Sequence, residues 1–140
     1  MTRERKARYA NDPASVAAAR RFARDVVGEV APAIVDRVAL VVSELASNAV
    51  RHSSSGFGIS IRTSKAGVLV EVTDDSDSLP VMRHPGRMEP TGRGLLIVQS
   101  LSEEWGVVER EKGKAVWALL AASSAGAARQ DRLASSAVEG

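Results

Sequence analysis

The chain has 140 residues, 44% of them hydrophobic, which fits one globular domain around one core and leaves little room for a second. Nineteen Lys and Arg stand against 17 Asp and Glu for a formal net charge of +2, so the isoelectric point of about 9.4 would signal nucleic-acid binding only through a clustered patch. The absence of cysteine excludes disulfides and thiolate metal sites, and an aromatic content of 4% leaves few platforms for stacking bases.

The first ten residues, MTRERKARYA, are basic but lack the apolar segment of a signal peptide, and no later apolar run approaches bilayer length. A cytoplasmic protein is expected. After a short extended piece ending near Ala10, the stretch NDPASVAAARRFARDVVG predicts a helix with Asp12 at the N-cap, Pro13 at its first position and Gly28 near its end. Its buried stripe is Val16, Ala19, Phe22, Ala23, Val26 and Val27. A second helix is expected from about Pro32 to Arg51, with Ile34, Val38, Val41, Val42, Leu45 and Ala49 inward, and SSSG then forces a turn.

Two alternating runs follow, Ile59/Ile61 and Val68/Val70/Val72, joined through SKAG as an antiparallel hairpin. Periodicity then disappears from Asp74 to Gly92, where Pro80, Pro85, Gly86 and Pro90 rule out a long regular element. The stretch GRGLLIVQSLSEEW predicts a short helix with Leu95, Leu96, Val98 and Leu101 inward, and WGVVER and AVWALLA form a hairpin around EKGK. Residues 1–122 are read as the folded domain and 123–140, Ala/Ser-rich and without a core pattern, as a flexible tail. Helix, helix, hairpin, helix, hairpin is the order of a two-layer α/β sandwich whose mostly antiparallel sheet is covered on one face by helices. Regular βαβ alternation is missing, so a doubly wound nucleotide fold is excluded.

Three segments carry polar groups that the core does not call for. Glu44, Asn48 and His52 recur every four residues and, at roughly 100° per residue, form a slanting stripe at the edge of the apolar face. Both Asn48 and His52 are expected at the edge of the core, where polar groups need partners. An Asn carbonyl oxygen suits Mg²⁺, and a Glu one turn away can accept a proton or orient a water. A structural role fits equally well: an exposed Glu44, an Asn48 bonded to backbone and a His52 closing the helix against its negative end. In EVTDDSDSLP, Asp74, with Ser76 beside it, can accept a hydrogen bond from an exocyclic amine, or simply cap a polar turn. In PTGRGLLIV, Gly92 and Gly94 flank Arg93 where the loop becomes a helix, a setting that lets backbone N–H groups approach a phosphate or merely eases the turn.

Taken together, an ELxxNAxxH helix, a strand ending in DxS, and a loop leading to GxGL at a helix start resemble the Bergerat ATP-binding fold. That fold is shared by type II topoisomerases, sensor histidine kinases, mismatch-repair ATPases and a class of heat-shock chaperone. The chain is most similar to the anti-sigma factor serine kinases and their small bacterial ATP-binding relatives, over about residues 5–121. The resemblance implies a mixed, mostly antiparallel sheet with helices on one face, and ATP and Mg²⁺ as cofactors. It implies Asn48 as the Mg²⁺ ligand, Glu44 as general base and His52 lining the site. Asp74 would read the adenine amine with Ser76 beside it, Gly92, Arg93, Gly94 and Leu95 would form the phosphate-facing loop and helix start, and residues 77–91 would be the lid. Two departures stand out: Asp74-Asp75-Ser76-Asp77-Ser78 lacks the glycines of a DxGxG adenine motif, and Leu96 replaces the last glycine of GxGLG. Asp75 and Asp77 would weaken nucleotide binding if they point inward.

The resemblance implies a serine/threonine protein kinase that phosphorylates an antagonist protein and so controls a sigma factor. The alternative is a catalytically weak or inactive module of the same fold that sequesters a protein partner. A homodimer, through the exposed face of the first helix, is a further expectation; membrane and nucleic-acid partners are not expected.

Overall fold

The computed structural model describes residues 2–76 and 90–122, the side chains of residues 90–94 excepted. The elements run β1 (Arg3–Tyr9), α1 (Ala14–Gly28), a 3-10 turn (Pro32–Ile34), α2 (Val35–His52), β2 (Phe57–Thr63), β3 (Gly67–Asp74), α3 (Pro90–Leu101), β4 (Glu104–Glu109) and β5 (Lys114–Ala121). The five strands lie in the order β1-β2-β3-β5-β4. Every pairing among the described residues is antiparallel, with no parallel pair to make the sheet mixed.

Side-chain alternation decides which face of the sheet is covered. Ile59 lies opposite Val72 and Ile61 opposite Val70 on the β2–β3 pair, and Val72 and Val70 in turn face Val116 and Ala118 across β3–β5. These residues share one pleat face, all are buried, and α1 and α2 close over them with Ala19, Ala23, Val27, Val38, Val41, Val42 and Leu45. Each Val, Ile or Leu buried there contributes about 1.5–3 kcal/mol of transfer free energy. The alanines Ala19 and Ala23 on α1 let it lie close to α2. Phe57 is fully buried and tilts against Tyr9 with ring centroids 5.5 Å apart.

Four boundaries differ from expectation. The N-terminal extended piece is a full edge strand, paired with β2 from Arg3 opposite Thr63 to Tyr9 opposite Phe57. Helix α1 begins at Ala14, one residue late, yet the Asp12 carboxylate still caps it by accepting the Ala14 N–H at 2.8 Å. Pro32 opens a 3-10 turn rather than α2 itself, which starts at Val35 after Ile34 leaves the helical region. Helix α3 both begins and ends early, because Glu104 already belongs to β4, and Leu96, expected inward, is exposed. No described helix is long and apolar enough to cross a membrane. Of the expected lid, 77–91, residues 77–89 lie outside the described residues, as does the tail, 123–140, and 90–91 open α3.

Candidate functional site

The polar edge of α2 is placed by what flanks the helix on its other side. Ser43 Oγ donates to the Ala39 carbonyl at 2.9 Å and lies 3.4 Å from Arg20 Nη1 of α1, while Asp36 takes Arg24 of α1 at 2.9 Å. Asn48 stands five residues after Ser43, roughly 140° further round the helix. The edge carrying Glu44 and Asn48 is therefore turned away from α1; α3 is the other helix that packs against α2.

Asn48 is 6% exposed, and its amide makes no hydrogen bond to any described residue. Its oxygen is thus available as a neutral, hard ligand in a nearly dry position, which fits an octahedral cation that shares its remaining sites with phosphate and water. Glu44 is half-buried and likewise has no ion pair or hydrogen bond among the described residues. His52 departs from expectation. As the last residue of α2 it reaches past the core and is exposed. Its imidazole titrates below the usual 6.5, first through partial desolvation, then through the positive charges of Lys114 and Arg51, with Asp74 acting in the opposite sense. His52 thus senses the groups at the ends of β3 and β5.

Asp74 is the last residue of β3 and shares the covered face with Val72 and Val70. Lys114 sits directly opposite it on β5. The Lys114 ammonium donates to both Asp74 oxygens, at 3.0 and 3.1 Å, and both side chains are only 2% exposed. Asp74 Oδ1 also accepts the Ser76 N–H at 2.8 Å, and Ser76 itself is buried. Gly113 precedes the lysine with φ +88°, and a Cβ there would run into the Asp74 carbonyl oxygen. Only glycine lets the β4–β5 turn press this closely against the end of β3.

Lys114 escapes a motif-based reading because it stands in EKGK, which reads as turn. One signal was available. Lys114 has the same parity as Val116, Ala118 and Leu120, so strand alternation aims it into the sandwich.

The condition under which Asp75 would weaken nucleotide binding, an inward-pointing side chain, is not met. Its carboxylate points at the α2–β2 turn and accepts the Ser54 N–H at 3.0 Å and the Ser54 and Ser55 hydroxyls at 2.8 and 2.7 Å. The Ser55 bond leads in holding its pKa down from 3.8 to about 2, and the two Ser54 bonds add to it. A carboxylate whose folded pKa is depressed stabilises the fold above its unfolded pKa and loses that contribution as pH falls through the folded value. Asp75→Ala should therefore lower the urea midpoint at neutral pH, and the gap to the unsubstituted protein should close as pH falls from about 4 to about 2.

The glycine-rich stretch is more regular than expected. Residues 92–95 lie in the opening turns of α3, which starts at Pro90, rather than in a loop. The side chains of Gly92, Arg93 and Gly94 lie outside the described set, whereas Leu95 is buried at 3% exposure, so its side chain serves the core and only its backbone could face a ligand. Among the described residues no group of three His, Cys, Asp or Glu could hold a metal.

An antiparallel sheet with helices packed on it forms an α/β sandwich, with the polar edge of α2 and the buried Asp74 carboxylate at the end of β3 as its candidate site. The family model of the histidine kinase-like ATPase domain matches residues 9–120, and the chain belongs to that family. ATP is accordingly its nucleotide. No curated protein sequence matches it.

Proposed function

We propose that the chain is an ATP-dependent regulatory serine/threonine kinase of the anti-sigma factor type, acting on an antagonist protein and thereby on a sigma factor. The observation that supports this reading is the pair Glu44 and Asn48, one turn apart on the same edge of α2 and both without a bonding partner among the described residues. In this reading Asn48 holds Mg²⁺, which when bound neutralises phosphate charge. Glu44 accepts the proton of an attacking serine or threonine hydroxyl, whose oxygen bonds the γ-phosphorus as the bond to the ADP oxygen breaks. Asp74 faces the adenine end with Ser76 beside it, the backbone of residues 92–95 faces the phosphates, and His52 borders the site at the end of α2.

Calorimetric titration with ATP, with and without Mg²⁺, tests the nucleotide part. The unsubstituted protein should bind ATP more tightly with Mg²⁺ than without. Asn48→Ala should lose most of that Mg²⁺ dependence, a drop of about tenfold in affinity, comparable to the cost of one lost charge-assisted contact. A Mg²⁺ dependence unchanged in Asn48→Ala would remove Asn48 as the ligand.

A second reading, in which the domain is catalytically weak and sequesters a protein partner, draws support from the Asp74–Lys114 pair, since the base-reading carboxylate is already engaged. A Glu44→Gln variant that regulates its partner with unchanged kinetics would favour this reading over the kinase.

A further inference from the structure

We propose that Lys114 is the specificity-determining residue of the nucleotide site: its ammonium occupies both oxygens with which Asp74 would read an adenine amine, so the chain holds ATP without selecting its base. This rests on the reading above that places the adenine end at Asp74. A carboxylate offers about four lone-pair directions. Three bonds already fall on Asp74: two from Lys114 Nζ, and one from the Ser76 N–H. The one direction left is on Oδ2, beside the ammonium, so an exocyclic amine would either sit as a second donor next to a positive charge or replace a charge-assisted bond with a weaker neutral one. Replacement would also leave an ammonium uncompensated at a position only 2% exposed.

The polarity of the pair compounds the effect. An ammonium carries three donors and no acceptor, so the group that covers Asp74 offers an incoming amine, itself a donor, nothing to bond to. Lys114 is also held where it is. It lies opposite Asp74 in the β3–β5 register, and Gly113 packs the turn before it against the Asp74 backbone. Inosine nucleotides, which carry a carbonyl oxygen where adenine has the amine, separate base reading from phosphate binding.

The test is titration of ATP and of ITP, each with Mg²⁺, into the unsubstituted protein, Lys114→Met and the double variant Asp74→Asn/Lys114→Met. The double variant removes both charges, so its folding does not depend on an unpaired carboxylate, and the Asn oxygen still accepts from an amine. The unsubstituted protein should bind the two nucleotides within about twofold of each other, and both folded variants should prefer ATP by at least about tenfold, the discrimination expected once a buried acceptor is free to read the amine. A tenfold preference for ATP in the unsubstituted protein would overturn the role of Lys114 while leaving the nucleotide reading intact. Folded variants that bind ATP and ITP equally would likewise overturn it. Absence of nucleotide binding in all three proteins would overturn the nucleotide reading and this inference together.

Discussion

Lys114→Met should lower the free energy of unfolding by about 3–5 kcal/mol, because it leaves the Asp74 carboxylate buried without its counter-charge. The pair is among the driest polar contacts of the molecule, with both side chains 2% exposed. Coulomb attraction and two hydrogen bonds there offset a desolvation cost that remains when one partner is removed. The double variant Asp74→Asn/Lys114→Met should recover most of the loss, since replacing both charges with neutral groups of similar volume is often close to neutral. Urea denaturation of the two single variants and the double variant forms a cycle whose coupling term isolates the pair. Additive single effects would show that Lys114 stabilises the fold through its methylene packing and not through Asp74.

Glu44→Gln should reduce phosphoryl transfer by about 10²- to 10⁴-fold, the usual contribution of a positioned general base. ATP affinity and the unfolding midpoint should stay nearly unchanged, because Glu44 is half-buried and bonded to no described residue. Single-turnover transfer from γ-labelled ATP to the acceptor protein separates the chemical step from binding. An equal rate in the variant would place the proton elsewhere and remove Glu44 from the chemistry.

Most of the architecture was legible from hydrophobic period alone. The helical stripes of α1 and α2 and the alternation in β2, β3 and β5 are strong because each element buries a continuous face. Strand β1 was read only as extended chain. Its RERKARY sequence carries charges at the exposed positions of an edge strand, the usual defence of an unpaired edge, and so shows no clean apolar alternation. The polar edge of α2 was visible because Glu44 and Asn48 recur one turn apart beside its apolar face. Lys114 and Asp75 were not legible in their roles, for opposite reasons. A buried lysine has no sequence signature apart from strand parity, and the aspartate beside Asp74 gives no local sign that its hydrogen-bond donors, Ser54 and Ser55, lie in the α2–β2 turn about twenty residues earlier in the chain. The start of α3 was displaced because Pro90 was read as part of the irregular stretch, whereas proline is well tolerated at the first position of a helix.

The placement of β1 has a consequence for the order in which the molecule assembles. Its pairing partner in the sheet, β2, lies beyond both α1 and α2 in the chain, so docking β1 closes a loop that contains both helices. Closing so long a loop is entropically costly, and the gain is confined to one sheet edge with few buried side chains. The amide protons of β1 should therefore exchange with solvent well ahead of those in β3 and β5, through an opening that leaves the rest of the sandwich intact. Simultaneous exchange of β1 and β3 would show instead that the N-terminal strand belongs to the same cooperative unit as the centre of the sheet.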